Sequence, residues 1–152
     1  MHRAQMYVGV RRAVPWKTHM ASQRRAKRDG LRHLTENERA ALAEFVQRLR
    51  AKFGDQVLLV RLFGSKARGD FDEESDIDVL VVVTNGDWQF GDEVALEACD
   101  SMLEYNVVIS SLVLSADRYH WMRSVGAPFY REAERDGVDL WTRTPDASVV
   151  FA

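Results

Sequence analysis

The sequence predicts a small α/β domain of the α+β type, on three observations. Two apolar runs, Val57–Phe63 and Ile77–Val83, have the length and the β-branched content of buried strands. A third β-rich segment, Tyr105–Leu114, is expected to pair beside the second strand. Thr35–Gly54 and Phe90–Leu103 carry apolar residues at helical spacing. With 152 residues, 46% of them hydrophobic, the chain is long enough for one core and too short for two ordinary domains.

The first predicted helix has recognisable ends. Thr35–Glu38 has the pattern of a capping box, in which the Thr35 hydroxyl accepts from a free backbone N–H and Glu38 reaches back to the cap. Gly54 is placed to end the helix. One face of this helix is apolar and is expected to pack on the sheet; it carries Leu42, Phe45, Val46 and Leu49.

The C-terminal third is predicted to hold shorter elements. Ser115 is expected to cap a short helix that runs to Met122. Pro128 is typical of the first position of another helix. Val138–Trp141 then reads as a closing edge strand, and the chain after Thr144 as a frayed tail.

Two aspartates lie where the second strand begins. Asp76 and Asp78 are two residues apart, so both side chains leave one face of the strand, roughly 6–7 Å apart at Cα. Ile77 between them points into the core. A turn cap or an ion pair would explain one such aspartate, but two unpaired carboxylates beside a buried strand are costly. The pair therefore predicts a site for a hard divalent cation such as Mg²⁺.

The polar segment between the first two strands has features of a phosphate-binding loop. Gly64 permits positive φ and a close approach of the backbone to a ligand, and Ser65 adds a hydroxyl to the backbone amides. Arg68 is placed to make a charge-assisted contact with phosphate. Gly69-Asp70 indicates a turn.

These residues carry a resemblance to a known family. Gly64–Gly69 and Ser75–Val81 resemble the G-S-x-A-R-G and S-D-x-D-h-h-V motifs (h, apolar) of the nucleotidyltransferase superfamily with the polymerase-β-like fold. The chain is most similar to the minimal nucleotidyltransferases, which are often antitoxin partners of HEPN-domain toxins. The resemblance implies a small mixed sheet with helices packed mainly on one face.

The resemblance also implies residue roles. It assigns Asp76 and Asp78 as catalytic residues and as ligands of Mg²⁺ or Mn²⁺, and ATP as the nucleotide donor. It further implies that Gly64, Ser65, Arg68 and Ser75 bind the nucleotide.

Several acceptors and functions remain open. In antitoxin-type relatives AMP is added to a tyrosine hydroxyl of the HEPN toxin. A small-molecule acceptor, as in antibiotic nucleotidyltransferases, is the alternative reaction. A different class of function is a nucleotide-binding module that neutralises its partner by contact alone.

The third strand departs from the family pattern. Active members usually carry another carboxylate there, but Asn106–Leu114 contains no acid. Ser110 or Ser111 stands at the expected position. Glu104, or an acid of the loop Asp70–Glu74, is a possible substitute; the solvated turn is the alternative interpretation of those loop acids.

Charge is concentrated at the N-terminus. Residues 1–33 contain nine of the 21 Lys and Arg residues and one of the 23 acidic residues. The predicted organisation is a basic arm over residues 1–33, a nucleotidyltransferase domain over 34–144 and a tail over 145–152. The arm is interpreted in three ways: a segment that binds nucleic acid or an acidic partner, a solvated tail, or an upstream extension with Met20 as the true start.

The sequence favours a soluble cytoplasmic protein. Cys99 is the only cysteine, which excludes an internal disulfide framework and fits a reducing compartment. It is expected to be a small buried residue on a helix. No apolar run approaches the roughly 18 residues of a membrane span, and no apolar signal segment is evident. The oligomeric state is not indicated.

Overall fold

The computed structural model describes residues 31–86 and 88–143. The predicted arm and tail lie outside these residues, apart from 31–33. The described chain forms five helices, one 3₁₀ turn and four strands. In chain order these are α1 (Glu36–Phe53), the 3₁₀ turn (Gly54–Gln56), β1 (Val57–Phe63), α2 (Gly64–Arg68), β2 (Ile77–Val83), α3 (Trp88–Tyr105), β3 (Ile109–Ser115), α4 (Ala116–Ser124), α5 (Pro128–Asp136) and β4 (Val138–Thr142).

The four strands form one mixed sheet in the order β3-β2-β1-β4. β1 is antiparallel to both of its neighbours, β2 and β4. β2 and β3 are parallel, and α3 is the crossover that parallel neighbours require. The predicted fold class, the pairing of the third strand beside the second, and the closing edge strand are confirmed.

The ends of α1 follow from its sequence. The Thr35 hydroxyl accepts from the Glu38 backbone N–H at 3.2 Å, and Glu38 Oε2 accepts from the Thr35 N–H at 2.8 Å. The predicted capping box is therefore present and satisfies two N–H groups that an α-helix leaves free. The helix ends before Gly54, whose φ of 49° suits glycine.

The two faces of the sheet are covered unequally. The first face buries alternate strand residues, such as Val60, Val79 and Val81, against the long helices α1 and α3. The second face buries Leu59 and the other alternate residues of β1 and β2 against the short helices α4 and α5. Near the start of β2 this second face is less covered: Asp78 is half-buried, and its neighbour Ser110 on β3 is exposed.

Three local predictions need correction. The loop after β1 begins with a helical turn, α2, rather than an open loop. The third strand begins at Ile109 instead of Tyr105, because α3 continues to Tyr105 and Asn106 ends it with a φ of 53°. Cys99, expected to be buried, is exposed on α3.

One buried cation joins the second face to its covering helices. Arg61 on β1 is 9% exposed and donates from Nε to Asp139 at 2.5 Å and from Nη1 to Glu134 at 2.6 Å. The Tyr119 hydroxyl donates to the same Glu134 oxygen at 2.7 Å and accepts from Arg61 at 3.0 Å. This network connects β1, β4, α4 and α5.

The pKa values of the network follow from burial and pairing. Burial raises the pKa of the Tyr119 hydroxyl far above its ordinary value, so it stays protonated. Burial alone would also raise the pKa of Glu134, but hydrogen bonds from Arg61 and Tyr119 outweigh this effect and lower it. Glu134 is therefore held as a carboxylate.

We expect Arg61→Met to lower the free energy of unfolding by about 3 kcal/mol, because it removes the buried guanidinium that binds Glu134, Asp139 and Tyr119 and leaves these groups without their charged donor. Arg135→Met is the matched control: Arg135 pairs with Asp136 but is 68% exposed, so its loss should leave the free energy of unfolding close to that of the wild type. Urea unfolding measures both variants. Equal stability of the two variants would contradict the role given to Arg61.

The same network predicts an acid dependence. Because the pKa of Glu134 is lowered in the folded state, its stabilisation is present above the unfolded pKa and is lost as pH falls through the folded value. We expect wild-type stability to fall as pH drops from roughly 5 to roughly 3 more steeply than that of Arg61→Met. Urea unfolding across this range measures the difference.

Candidate active site

The two predicted carboxylates lie at the open end of the second face. Asp78 is the second residue of β2 and is half-buried, whereas Asp76 precedes the strand and is exposed. Ile77 is 1% exposed and packs in the core of the first face. Because strand residues alternate between faces, the two aspartates lie on the side away from the core that contains Ile77.

The electrostatic environment of Asp76 and Asp78 favours a bound cation. Burial raises the pKa of Asp78, the charge of Asp76 raises it further, and Arg68 partly offsets both. Two close carboxylates with one partial counter-charge suit a hard divalent ion, which takes one or two protein carboxylates and completes its shell with water and phosphate oxygens. The side chains present therefore fit Mg²⁺ or Mn²⁺ held by Asp76 and Asp78.

Gly64 brings the predicted phosphate-binding segment against these carboxylates. Its φ is 73°, and a Cβ at this position would overlap the carboxylate of Asp78. The cause is strand register: Phe63, the last residue of β1, pairs with Asp78, so the chain turns directly beside that side chain. A ligand held by Asp78 would lie near the Gly64-Ser65 backbone.

The other two predicted nucleotide-binding residues make contacts within the loop. Arg68 Nε donates to both carboxylate oxygens of Asp70, at 3.1 Å each, and its side chain is 36% exposed. The Ser75 hydroxyl donates to Asp72 Oδ1 and accepts from the Asp72 N–H, both at 3.0 Å. Ser75 therefore shapes the loop that leads into β2.

Lys66 is a residue that the sequence did not single out. It lies on α2, is 5% exposed, and binds Glu38 Oε1 at 2.8 Å. Its ammonium also lies 4.1 Å from the ring centre of Phe71. The Lys66–Glu38 pair fixes α2 against the start of α1. No local pattern could reveal it, because the partner is 28 residues away in the chain.

The third-strand position is occupied by Ser110. In the parallel ladder Ser110 pairs with Asp78, whereas Ser111 pairs with Val79 and belongs to the opposite face. In the described residues, neither Glu104 nor an acid of the loop Asp70–Glu74 joins Asp76 and Asp78 in a cluster that could hold a metal ion. Within residues 31–86 and 88–143, no group of three or more His, Cys, Asp or Glu side chains is placed to hold a metal ion.

The fold and the site have the character of a nucleotide-transferring enzyme, and the comparison with protein families agrees. Residues 42–117 match the family described as "Nucleotidyltransferase domain". The chain belongs to this family and is a nucleotidyltransferase.

Curated relatives support the same assignment. A "Putative protein adenylyltransferase" of Methanocaldococcus jannaschii is 37% identical over 106 residues, which cover 69% of this chain and 99% of the relative. A second protein with that description, from the same organism, is 31% identical over 100 residues, covering 65% of this chain and 94% of the relative. This chain therefore spans almost the whole of both relatives.

Solved structures give more distant similarities. A mutant of the toxin–antitoxin pair MntA-HpeT is 19% identical with a TM-score of 0.49, covering 67% of this chain and 73% of that one. A toxin–antitoxin structure with AMP-PNP is 20% identical with a TM-score of 0.46, covering 66% and 73%. Similarities this low carry no conclusion about this chain.

No helix in the described part of the chain is long and apolar enough to cross a bilayer.

We expect Gly64→Ala to reduce nucleotide transfer about a hundredfold, because the added methyl group displaces the Asp78 carboxylate. Gly91→Ala is the matched control: nothing lies within 4 Å of its added Cβ, and alanine favours the α3 helix. Initial transfer rates and thermal unfolding are measured together. Full activity in a folded Gly64→Ala protein would contradict the close approach described here.

We expect Ser110→Asp to increase the response to Mg²⁺, because it places a third carboxylate beside Asp78. The concentration of Mg²⁺ that half-saturates the rise in thermal midpoint should fall roughly tenfold. Ser110→Asn matches the size without the charge and should behave as wild type. Equal responses of the Asp and Asn variants would show that position 110 does not face the carboxylate pair.

Proposed function

We propose that this protein transfers AMP from Mg-ATP to a hydroxyl group of a partner protein. The observation that carries the proposal is the contact between the Gly64 backbone and Asp78, with Asp76 beside it, since it joins a phosphate-binding turn to a cation-binding pair. The descriptions of the curated relatives as protein adenylyltransferases support a protein acceptor.

Each site residue has a part in this reaction. Gly64 and Ser65 hold the β and γ phosphates through backbone and hydroxyl groups, and Arg68 adds charge when it turns from Asp70 to phosphate. Asp76 and Asp78 would hold Mg²⁺. When bound, Mg²⁺ neutralises phosphate charge and polarises the α phosphorus. Ser75 keeps the loop before the carboxylates in shape.

The chemistry is an in-line substitution at the α phosphorus. The acceptor oxygen forms a bond to this phosphorus, the bond to the β-phosphate oxygen breaks, and pyrophosphate leaves. The acceptor proton is released as the new ester forms. The protein contributes mainly position and charge complementarity, because phosphoryl transfer needs little else from it.

The proposed acceptor is a tyrosine of a HEPN-type toxin, so that AMP addition makes the protein an antitoxin. The motif resemblance supports this choice, as does the description of the relatives as enzymes acting on protein. A cytoplasmic location fits the use of ATP. Nucleic-acid binding by the arm, which lies mostly outside the described residues, stays a separate prediction.

A second candidate is neutralisation by contact alone. Ser110 favours it, because the position beside Asp78 offers no carboxylate to accept the proton of the attacking hydroxyl. In that case the nucleotide site would regulate binding rather than perform transfer.

We expect Asp78→Asn to abolish transfer. Wild-type protein is incubated with Mg²⁺, ATP radiolabelled at the α phosphorus, and a lysate of the native host. A labelled protein should form with the wild type and decrease at least about a hundredfold with Asp78→Asn, because a metal ligand is lost. Addition of EDTA should have the same effect.

Asp92→Asn is the matched control, since Asp92 is an exposed aspartate on α3, away from the site. Equal labelling by wild type and Asp78→Asn would overturn the enzymatic proposal. If Asp78→Asn also neutralises the toxin as well as wild type does, contact alone is the function. Mass spectrometry of the labelled protein then tests tyrosine as the acceptor.

A further inference from the structure

An exposed stripe runs along β3 beside the carboxylates. Val108, which directly precedes the strand, is 56% exposed, Ser110 is exposed, and Leu112 is 38% exposed. Ile109 between them is 4% exposed and packs in the core of the first face. The alternation places Val108, Ser110 and Leu112 on the second face, where the site is open. We call these three residues the β3 stripe.

The β3 stripe lies on the opposite side of Asp78 from the phosphate-binding turn. In the sheet order β3-β2-β1, Ser110 of β3 and Phe63 of β1 pair with Asp78 from its two sides. Gly64 and Ser65 directly follow Phe63. The carboxylates thus lie between the segment assigned to the leaving phosphates and the β3 stripe.

The stereochemistry of the proposed reaction then gives the stripe a role. In an in-line substitution the attacking oxygen and the leaving group lie on opposite sides of the phosphorus. Pyrophosphate leaves on the β1 side, where Gly64 and Ser65 hold it. The acceptor hydroxyl must therefore approach from the β3 side, over Ser110.

We propose that the β3 stripe is the acceptor platform of this enzyme and that Val108 and Leu112 select the acceptor. The occupant is an extended segment of the acceptor protein with apolar, uncharged side chains flanking the modified residue. This inference rests on the proposed transfer of AMP to protein, and it adds the surface and the local chemistry that choose the acceptor.

Two features of β3 fit an extended protein segment. In the described sheet β3 is an edge strand, so the backbone groups on its outer side can pair with an added strand. A residue of that strand opposite Ser110 would project on the same face as Asp78. A cationic small acceptor, by contrast, would meet two aliphatic side chains and a hydroxyl there.

The chain offers a matched pair of variants. Val108→Ser with Leu112→Ser removes both apolar side chains of the stripe. Leu96→Ser with Leu103→Ser removes two exposed leucines, at 62% and 85% exposure, from α3, which covers the opposite face of the sheet. Leu112→Met keeps an apolar side chain on the platform. Circular dichroism and thermal unfolding establish that each variant is folded.

The test is transfer of radiolabelled AMP into host lysate over a series of lysate and ATP concentrations. The stripe variant should label its acceptor roughly tenfold more slowly at low lysate concentration, because partial burial of two aliphatic side chains is lost. The deficit should shrink as lysate increases, and the ATP concentration for half-maximal rate should not change. The α3 variant should behave as wild type, and Leu112→Met, which keeps an apolar side chain on the platform, should lose less activity than the stripe variant.

The outcomes separate this inference from the proposed function. Labelling by the wild type and an unimpaired stripe variant would overturn the acceptor platform while leaving AMP transfer intact. An equal deficit in the α3 variant would also overturn it, as would a raised ATP requirement in the stripe variant. Absence of any labelled protein with the wild type would overturn both proposals.

Discussion

The candidate site depends on the absence of a side chain at Gly64. Antiparallel pairing places Phe63 beside Asp78, so the chain that leaves β1 turns against a carboxylate. Only glycine meets both conditions there, a positive φ and no atom beyond Cα. The distance between the Gly64 turn and Asp78 is therefore set by backbone register. Side-chain flexibility contributes little to it, which suits a reaction catalysed mainly by position.

The second face of the sheet contains two groups of acidic side chains that differ in how far their negative charge is neutralised. Around Arg61, carboxylates from α5 and β4 are neutralised by one buried guanidinium, and the pKa of Glu134 is lowered. At Asp78, burial and the neighbouring Asp76 leave the pKa raised, with Arg68 only a partial counter-charge. The first group holds strands and helices together. The second group carries negative charge that Arg68 only partly neutralises, and such incompletely neutralised charge is typical of functional sites.

Much of this architecture could be predicted from sequence because its signals are local. Both central strands have the predicted bounds, and the capping box at Thr35 and the buried Ile77 were evident from spacing alone. Other features of the site were not evident from the sequence because they depend on distant parts of the chain. The burial of Lys66 requires Glu38, 28 residues away. The choice of Ser110 over Ser111 beside Asp78 required the register of a parallel pair, which no turn length fixes.

Glu38 uses its two oxygens for different purposes: Oε2 completes the cap of α1, and Oε1 binds Lys66 beneath the candidate site. Folding of the first helix and placement of α2 are thus coupled through one carboxylate. A substitution at position 38 affects both the helix cap and the ion pair with Lys66. A substitution at position 35 or 66 affects only one of these two contacts. Through this shared carboxylate, α1 helps to fix the geometry of the candidate site, although none of its residues is assigned a contact with substrate.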